Sequence, residues 1–264
     1  NDSKVKSRKE RENIVIMNEE LYKFQKEWFD TIFEPYIKEN PNANITYPFF
    51  TGVPEQYVNS NKRIMIIGQE TRGWGIYKPD WTLKDSRQWT VDYLCYQLRY
   101  DTDAVHKERF GRRNSSPFWS FFKLFSNHGI VPCWNNVDKA QRNIDGKTKS
   151  LTEEIEIALN QKLPHSNKTL LQKEIEVLKP NAIVFITGPG YVVTMEKALG
   201  LRENTLAEYK PTIDNVCVDI TNIVHTEIPT FWTYHPRFIV SKKKPLSREE
   251  IVKKIIGATE YERF

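Results

Sequence analysis

The chain has 264 residues, enough for one generous α/β domain with its own core and short for two independent ones. Hydrophobic residues make up 39% and charged residues 28%, which excludes disordered and collagen-like classes, and no apolar run approaches the roughly 20 residues of a bilayer span. A net charge of +5 favours a polyanionic partner, since lysine and arginine attract phosphates. With no charged-then-apolar signal pattern, the expectation is a cytoplasmic, monomeric protein forming a single domain over residues 1–264.

Residues 1–16 are strongly charged and carry no apolar periodicity, so they read as a solvated N-terminal tail. Asn18 then offers an N-cap, and Leu21, Phe24, Trp28 and Ile32 recur at helical spacing toward Pro41. Residues 63–67 form a short apolar run closed by Gly68, the pattern of a central strand buried on both faces. From there to Asn114 the chain is polar, aromatic and irregular, with a helix expected only over residues 91–99. Residues 74–114 therefore read as a long functional insertion.

Ser115, Ser116 and Pro117 supply a cap and a first-turn proline for a helix striped by Phe118, Phe121, Phe122 and Phe125. Residues 130–134 read as a second strand running into Asn135 and Asn136. Leu170, Leu171, Ile175 and Leu178 mark a helix stopping before Pro180, and residues 182–187 form the clearest strand, closed by Gly188, Pro189 and Gly190. A helix to Gly200, β-like runs over 216–220 and 229–234, and a last helix opened by Ser247 complete the series. Alternating strands and helices predict a three-layer α/β/α fold around a mostly parallel sheet, with the ligand outside the carboxyl ends of the strands.

Those strand ends carry Gly68, Gln69, Glu70, Thr71, Arg72, Gly73 and Trp74 after the first strand, Asn135 and Asn136 after the second, and His235, Pro236 and Arg237 after the last. Here the chain resembles the uracil-DNA glycosylase superfamily. Gly68-Gln69-Glu70 is similar to the family's first motif, Trp134-Asn135-Asn136 to its asparagine motif, and Tyr234-His235-Pro236 to its histidine-proline motif. Residues 178–188 resemble the helix-then-strand segment ending in glycine, and residues 114–119 resemble the helix start of the mismatch-specific branch. The likeness spans about residues 60–240 in the family's order.

The resemblance implies a DNA glycosylase that flips a pyrimidine from DNA and hydrolyses its bond to the sugar, without cofactor or metal. Cleavage builds positive charge on the sugar and negative charge on the base, and the enzyme must stabilise both. Glu70 would orient water and offset the sugar's charge, and His235 would donate to the leaving base's carbonyl oxygen. One of Asn135 and Asn136 would read the flipped base, with Gln69 beside it. Phe118, Trp74 and Tyr77 are the stacking candidates. Backbone N–H groups of Gly68, Gly73, Gly188 and Gly190 would hold phosphates, with Arg72, Arg237, Lys242, Lys243 and Lys244 ready for the DNA strand.

The first motif lacks the proline and the tyrosine with which uracil-specific members exclude thymine, and has Thr71, Arg72 and Gly73 instead. Such a pocket suits a larger base, for example the glucosylated hydroxymethylcytosine removed by an anti-phage branch of the superfamily. Plainer readings compete: Glu70 as a helix-capping carboxylate, His235 as a core histidine, the asparagines as turn residues. A DNA-binding module of the same fold with a decayed site is the main rival. A nucleotide hydrolase is disfavoured because the Walker pattern is absent. The three cysteines, Cys95, Cys133 and Cys217, form no metal or disulfide pattern.

Overall fold

The structure, a computed structural model, describes residues 2–70, 82–100, 104–224, 227–241 and 246–259. In chain order it contains α1 (Asp2–Trp28), a π-helical turn (Phe29–Phe33), α2 (Glu34–Glu39), α3 (Glu55–Asn59) and β1 (Arg63–Gly68). Next come α4 (Leu83–Leu98), α5 (Ala104–Phe110), α6 (Pro117–Asn127), β2 (Val131–Asn136), β3 (Arg142–Ile144), β4 (Lys147–Lys149) and α7 (Glu153–Leu159). The chain closes with α8 (Leu170–Leu178), β5 (Ala182–Phe185), α9 (Val192–Ala198), β6 (Cys217–Asp219), β7 (Thr230–Thr233), α10 (Pro236–Ser241) and α11 (Arg248–Ala258).

Five strands form the central sheet in the order β2-β1-β5-β7-β6, with β6 alone antiparallel to its neighbour. Period-two alternation along β1 explains its nearly continuous apolar run. Ile64 and Ile66 pack with α4, α6, α10 and α11, whereas Met65 and Ile67 pack with α1, α8 and α9. The result is the three-layer α/β/α fold expected from the alternation of elements. On the first face Phe121, Phe122 and Phe125 of α6 are fully buried, and each contributes roughly 1.5–3 kcal/mol through removal from water.

Local chemistry sets the helix starts. Thr82 and Asp85 form a capping box on α4, Thr169 and Gln172 on α8, and Ser247 and Glu250 on α11. Ser116 caps α6, with Pro117 in the first turn where its missing N–H costs nothing.

Three expectations need correction. Residues 2–16 are not a tail apart from the first helix, because α1 starts at Asp2; lysine, arginine and glutamate are good helix formers even without an apolar stripe. Asn18 is accordingly no N-cap, and its carbonyl and side-chain oxygens accept from Arg87 at 2.8 and 3.1 Å. The stretch read as irregular contains α4 and α5, and α4 starts well before residue 91 because Thr82 caps it. The hairpin of β3 and β4 was not anticipated; its register turns on Asp145 and Gly146, both at positive φ. Among the described residues no helix is long and apolar enough to cross a membrane.

Candidate active site

A cavity of about 500 Å³ opens at the carboxyl end of the sheet, where Gln69 and Glu70 leave β1, Trp134 ends in β2, and His235 and Arg237 follow β7. That volume falls within the roughly 300–1,000 Å³ usual for ligand pockets. Trp89 and Tyr93 of α4, the loop residues Asn114 and Ser116, and Pro117, Phe118 and Trp119 of α6 complete its lining. Trp89 stacks on Tyr93 with centroids 4.8 Å apart, and Tyr93 meets Trp119 edge-on at 5.3 Å. Phe118 lies nearly parallel to the His235 imidazole, 6.0 Å away and tilted by 22°. An aromatic slot of this kind receives flat, apolar-faced ligands.

Gly68 allows the floor to close. A Cβ there would stand 2.6 Å from Asn136 Oδ1 and 3.3 Å from the Phe118 ring. The close approach, and not an exposed N–H for phosphate, is what the glycine provides. Its carbonyl accepts from Val137 N–H at 3.0 Å, and the Gln69 carbonyl accepts from Asp138 N–H at 3.0 Å, so pairing with β2 continues into the site.

The two asparagines separate cleanly. Asn135 points to the opposite face of the sheet, where its Nδ2 donates to Glu174 at 2.9 Å and its Oδ1 accepts from the Lys139 ammonium. Glu174 also accepts from Lys139 at 2.6 Å and from Gln25 at 3.0 Å, in a fully buried network. Asn135 therefore drops out as a reader of any ligand. Asn136 shares the face of Trp134, accepts from its indole N–H at 3.2 Å, and leaves Nδ2 buried with no acceptor among the described residues.

Glu70 presents a second unmatched atom: its Oε2 is buried and accepts no hydrogen bond among the described residues. The Tyr191 hydroxyl stands between Glu70 and Ser150; burial, then the Glu70 charge, raises its pKa and keeps it a proton donor. Behind Glu70 lies Asp138, 1% exposed, with neither carboxyl oxygen hydrogen-bonded among the described residues. Burial, then the charges of Glu156 and Glu70, push its pKa well above the ordinary value, so it holds its proton.

Asp138 has a consequence for stability. The folded chain keeps a proton there that the unfolded chain releases above about pH 4, so this residue's contribution declines as pH rises from that point through the folded-state pKa. Asp138→Asn retains the shape of the neutral acid and removes the titration. Relative to the parent, its Tm should become more favourable between pH 4 and pH 7. A difference that does not change with pH would show that Asp138 is ionised in the fold.

His235 is oriented by its own turn. The Arg237 backbone N–H donates to Nδ1 at 3.2 Å, so the neutral imidazole carries its proton on Nε2. Gln69 is also held: its Nε2 donates to the Thr187 carbonyl at 2.7 Å, tying the end of β1 to that of β5.

The cavity thus gathers Gln69, Glu70, Phe118, His235 and Arg237 from the residues selected in the sequence. The Gly188 N–H is spent on the Thr233 carbonyl at 3.0 Å, so it does not serve a phosphate, and Gly190 lies outside the lining. Arg72, Gly73, Trp74, Tyr77, Lys242, Lys243 and Lys244 fall outside the described residues. Trp89, Tyr93, Trp119 and Trp134 were missed. The spacing of Trp89 and Tyr93, one helical turn apart, was the available signal.

Cys133 and Cys217 are no nucleophiles, because burial pushes their thiols up to about 12 and about 11. Among the described residues no group of three or more His, Cys, Asp or Glu is placed to hold a metal ion. No protein-family model matches the chain, and no curated protein matches its sequence.

Proposed function

We propose that the protein is a DNA glycosylase of the uracil-DNA glycosylase type, which flips a pyrimidine into the aromatic slot and hydrolyses its N-glycosidic bond. The observation that carries this reading is the meeting of Glu70 and His235 in one aromatic-walled cavity, although about 165 residues separate them in the chain. A base entering the slot would stack on Phe118, while Asn136, 1% exposed and outside the cavity lining, would have to be uncovered for its unmatched amide to meet the base's polar edge. As the bond breaks, His235 Nε2–H would donate to the base oxygen on which negative charge gathers. Glu70 would hold the attacking water and offset the positive sugar, while the Tyr191 hydroxyl fixes the carboxylate from behind.

The cavity of about 500 Å³ and the Thr71, Arg72 and Gly73 departure from the uracil-specific motif support a substituted base over uracil. Glucosylated hydroxymethylcytosine of phage DNA is the foremost candidate, which would make the protein an anti-phage enzyme. Duplexes carrying uracil, hydroxymethylcytosine or its glucosylated form should therefore be compared for alkali-labile strand breaks after incubation. Breaks at the glucosylated base are expected. Breaks at uracil alone would overturn the modified-base assignment, and none with any duplex would overturn glycosylase activity on these bases.

A further inference from the structure

Three cations gather near the cavity: Arg113 on the loop between α5 and α6, Arg99 at the end of α4 and Lys123 on α6. Arg113 Nε donates to the Tyr96 carbonyl at 2.8 Å, and its guanidinium lies 4.4 Å from the centre of the Tyr96 ring. Arg99 caps the same end of α4 at φ 63°, with its N–H directed to the Tyr96 and Cys95 carbonyls. From α6, Lys123 reaches back and donates Nζ to the Asn114 carbonyl at 3.2 Å.

None of the three lines the cavity, but Arg113 adjoins Asn114 and Lys123 bonds to its carbonyl, and Asn114 is part of the lining. The loop carrying Arg113 is fixed at Asn114 and Ser116. Asn114 N–H donates to Gln97 Oε1 at 2.9 Å, and Ser116 N–H to Asn114 Oδ1 at 2.8 Å. Nearby cations are treated differently: Arg109 pairs with Asp92 at 2.7 Å, and His106 stands 3.8 Å from the same carboxylate. Among the described residues no carboxylate comes within salt-bridge distance of Arg99, Arg113 or Lys123. The Lys123 ammonium is held below the ordinary lysine range, first by burial and then by repulsion from Arg99 and Arg113. Like charges gathered from neighbouring elements gain most from an external anion, which relieves their repulsion.

We infer that Arg99, Arg113 and Lys123 form a phosphate clamp that grips the DNA backbone beside the flipped nucleotide, on the α4–α6 side of the cavity. The clamp rests on the glycosylase reading, which supplies the strand, and assigns it a second line of contact in addition to Arg237. A strand held on both sides of the slot is presented with one nucleotide over Phe118. Backbone contacts of this kind fix register without reading sequence.

The test is binding of the full chain to a fluorescein-labelled duplex with a central tetrahydrofuran abasic analogue, followed by anisotropy across a salt series. The combined variant Arg99→Gln, Arg113→Gln and Lys123→Gln should bind at least tenfold more weakly at low salt. Its slope of log affinity against log salt should fall by about 2–3, each lost phosphate contact accounting for roughly 0.9. Arg99→Lys with Arg113→Lys should keep most of the slope. The charge-matched Lys38→Gln, Lys62→Gln and Lys179→Gln variant should retain the parent's slope, and thermal melting confirms that each variant is folded. A slope for the clamp variant equal to that of the control, with the parent binding normally, overturns the clamp and leaves the glycosylase reading standing. A parent chain that fails to bind this duplex at low salt overturns both.

Discussion

Glu70→Gln should lower single-turnover base excision by on the order of a hundredfold or more, about 2.7 kcal/mol of transition-state stabilisation, while leaving the fold intact. The substitution keeps the shape and removes the charge that would orient water and balance the sugar cation. Stability should not suffer, because Glu70 Oε2 is already buried without a hydrogen-bond partner among the described residues. Removing a buried charge that lacks a partner on that oxygen relieves its desolvation cost. His235→Ala should cost a similar factor, since it deletes the donor whose proton the Arg237 backbone N–H directs to Nε2. Rates within threefold of the parent for both variants would remove Glu70 and His235 from the chemistry.

Glu174→Ala should destabilise the protein by about 3–5 kcal/mol, the range for breaking a buried ion pair on one side. Glu174 of α8 is fully buried and accepts from Asn135 at the end of β2, from Lys139 just after it and from Gln25 of α1. Without it the Lys139 ammonium, whose pKa burial already lowers, loses its carboxylate partner. The network anchors the end of β2 to α8 and α1, and so supports Asn136 and the cavity floor from behind. Urea unfolding provides the measurement. A loss below about 1 kcal/mol would mean that water reaches Lys139 and that the network does not brace the site.

The sheet was legible because buried parallel strands are written as short, nearly all-apolar runs, as residues 63–67 and 182–185 show. Helices with an apolar stripe, such as α6 and α8, were equally plain, down to Pro117 and the halt before Pro180. Long charged helices were not. The first half of α1 and the start of α4 draw their helicity from propensity and capping, and these leave no hydrophobic period to read.

At the site, the sequence placed Gln69, Glu70, Phe118, His235 and Arg237 on one rim because topology brings successive strand ends together. It left Asn135 and Asn136 undivided, since both fit the motif and only strand parity shows which one faces Trp134. Asp138 and Tyr191 stayed hidden for a different reason. Their significance lies in burial and in neighbours from other segments, which no local spacing reveals.

The most direct test of the central claim is mass spectrometry of the small molecules released when the protein acts on naturally modified phage DNA. A free base, equal in amount to the abasic sites left in the DNA and absent with Glu70→Gln, is the predicted result. Release of a nucleoside or nucleotide, or of nothing at all, would contradict it.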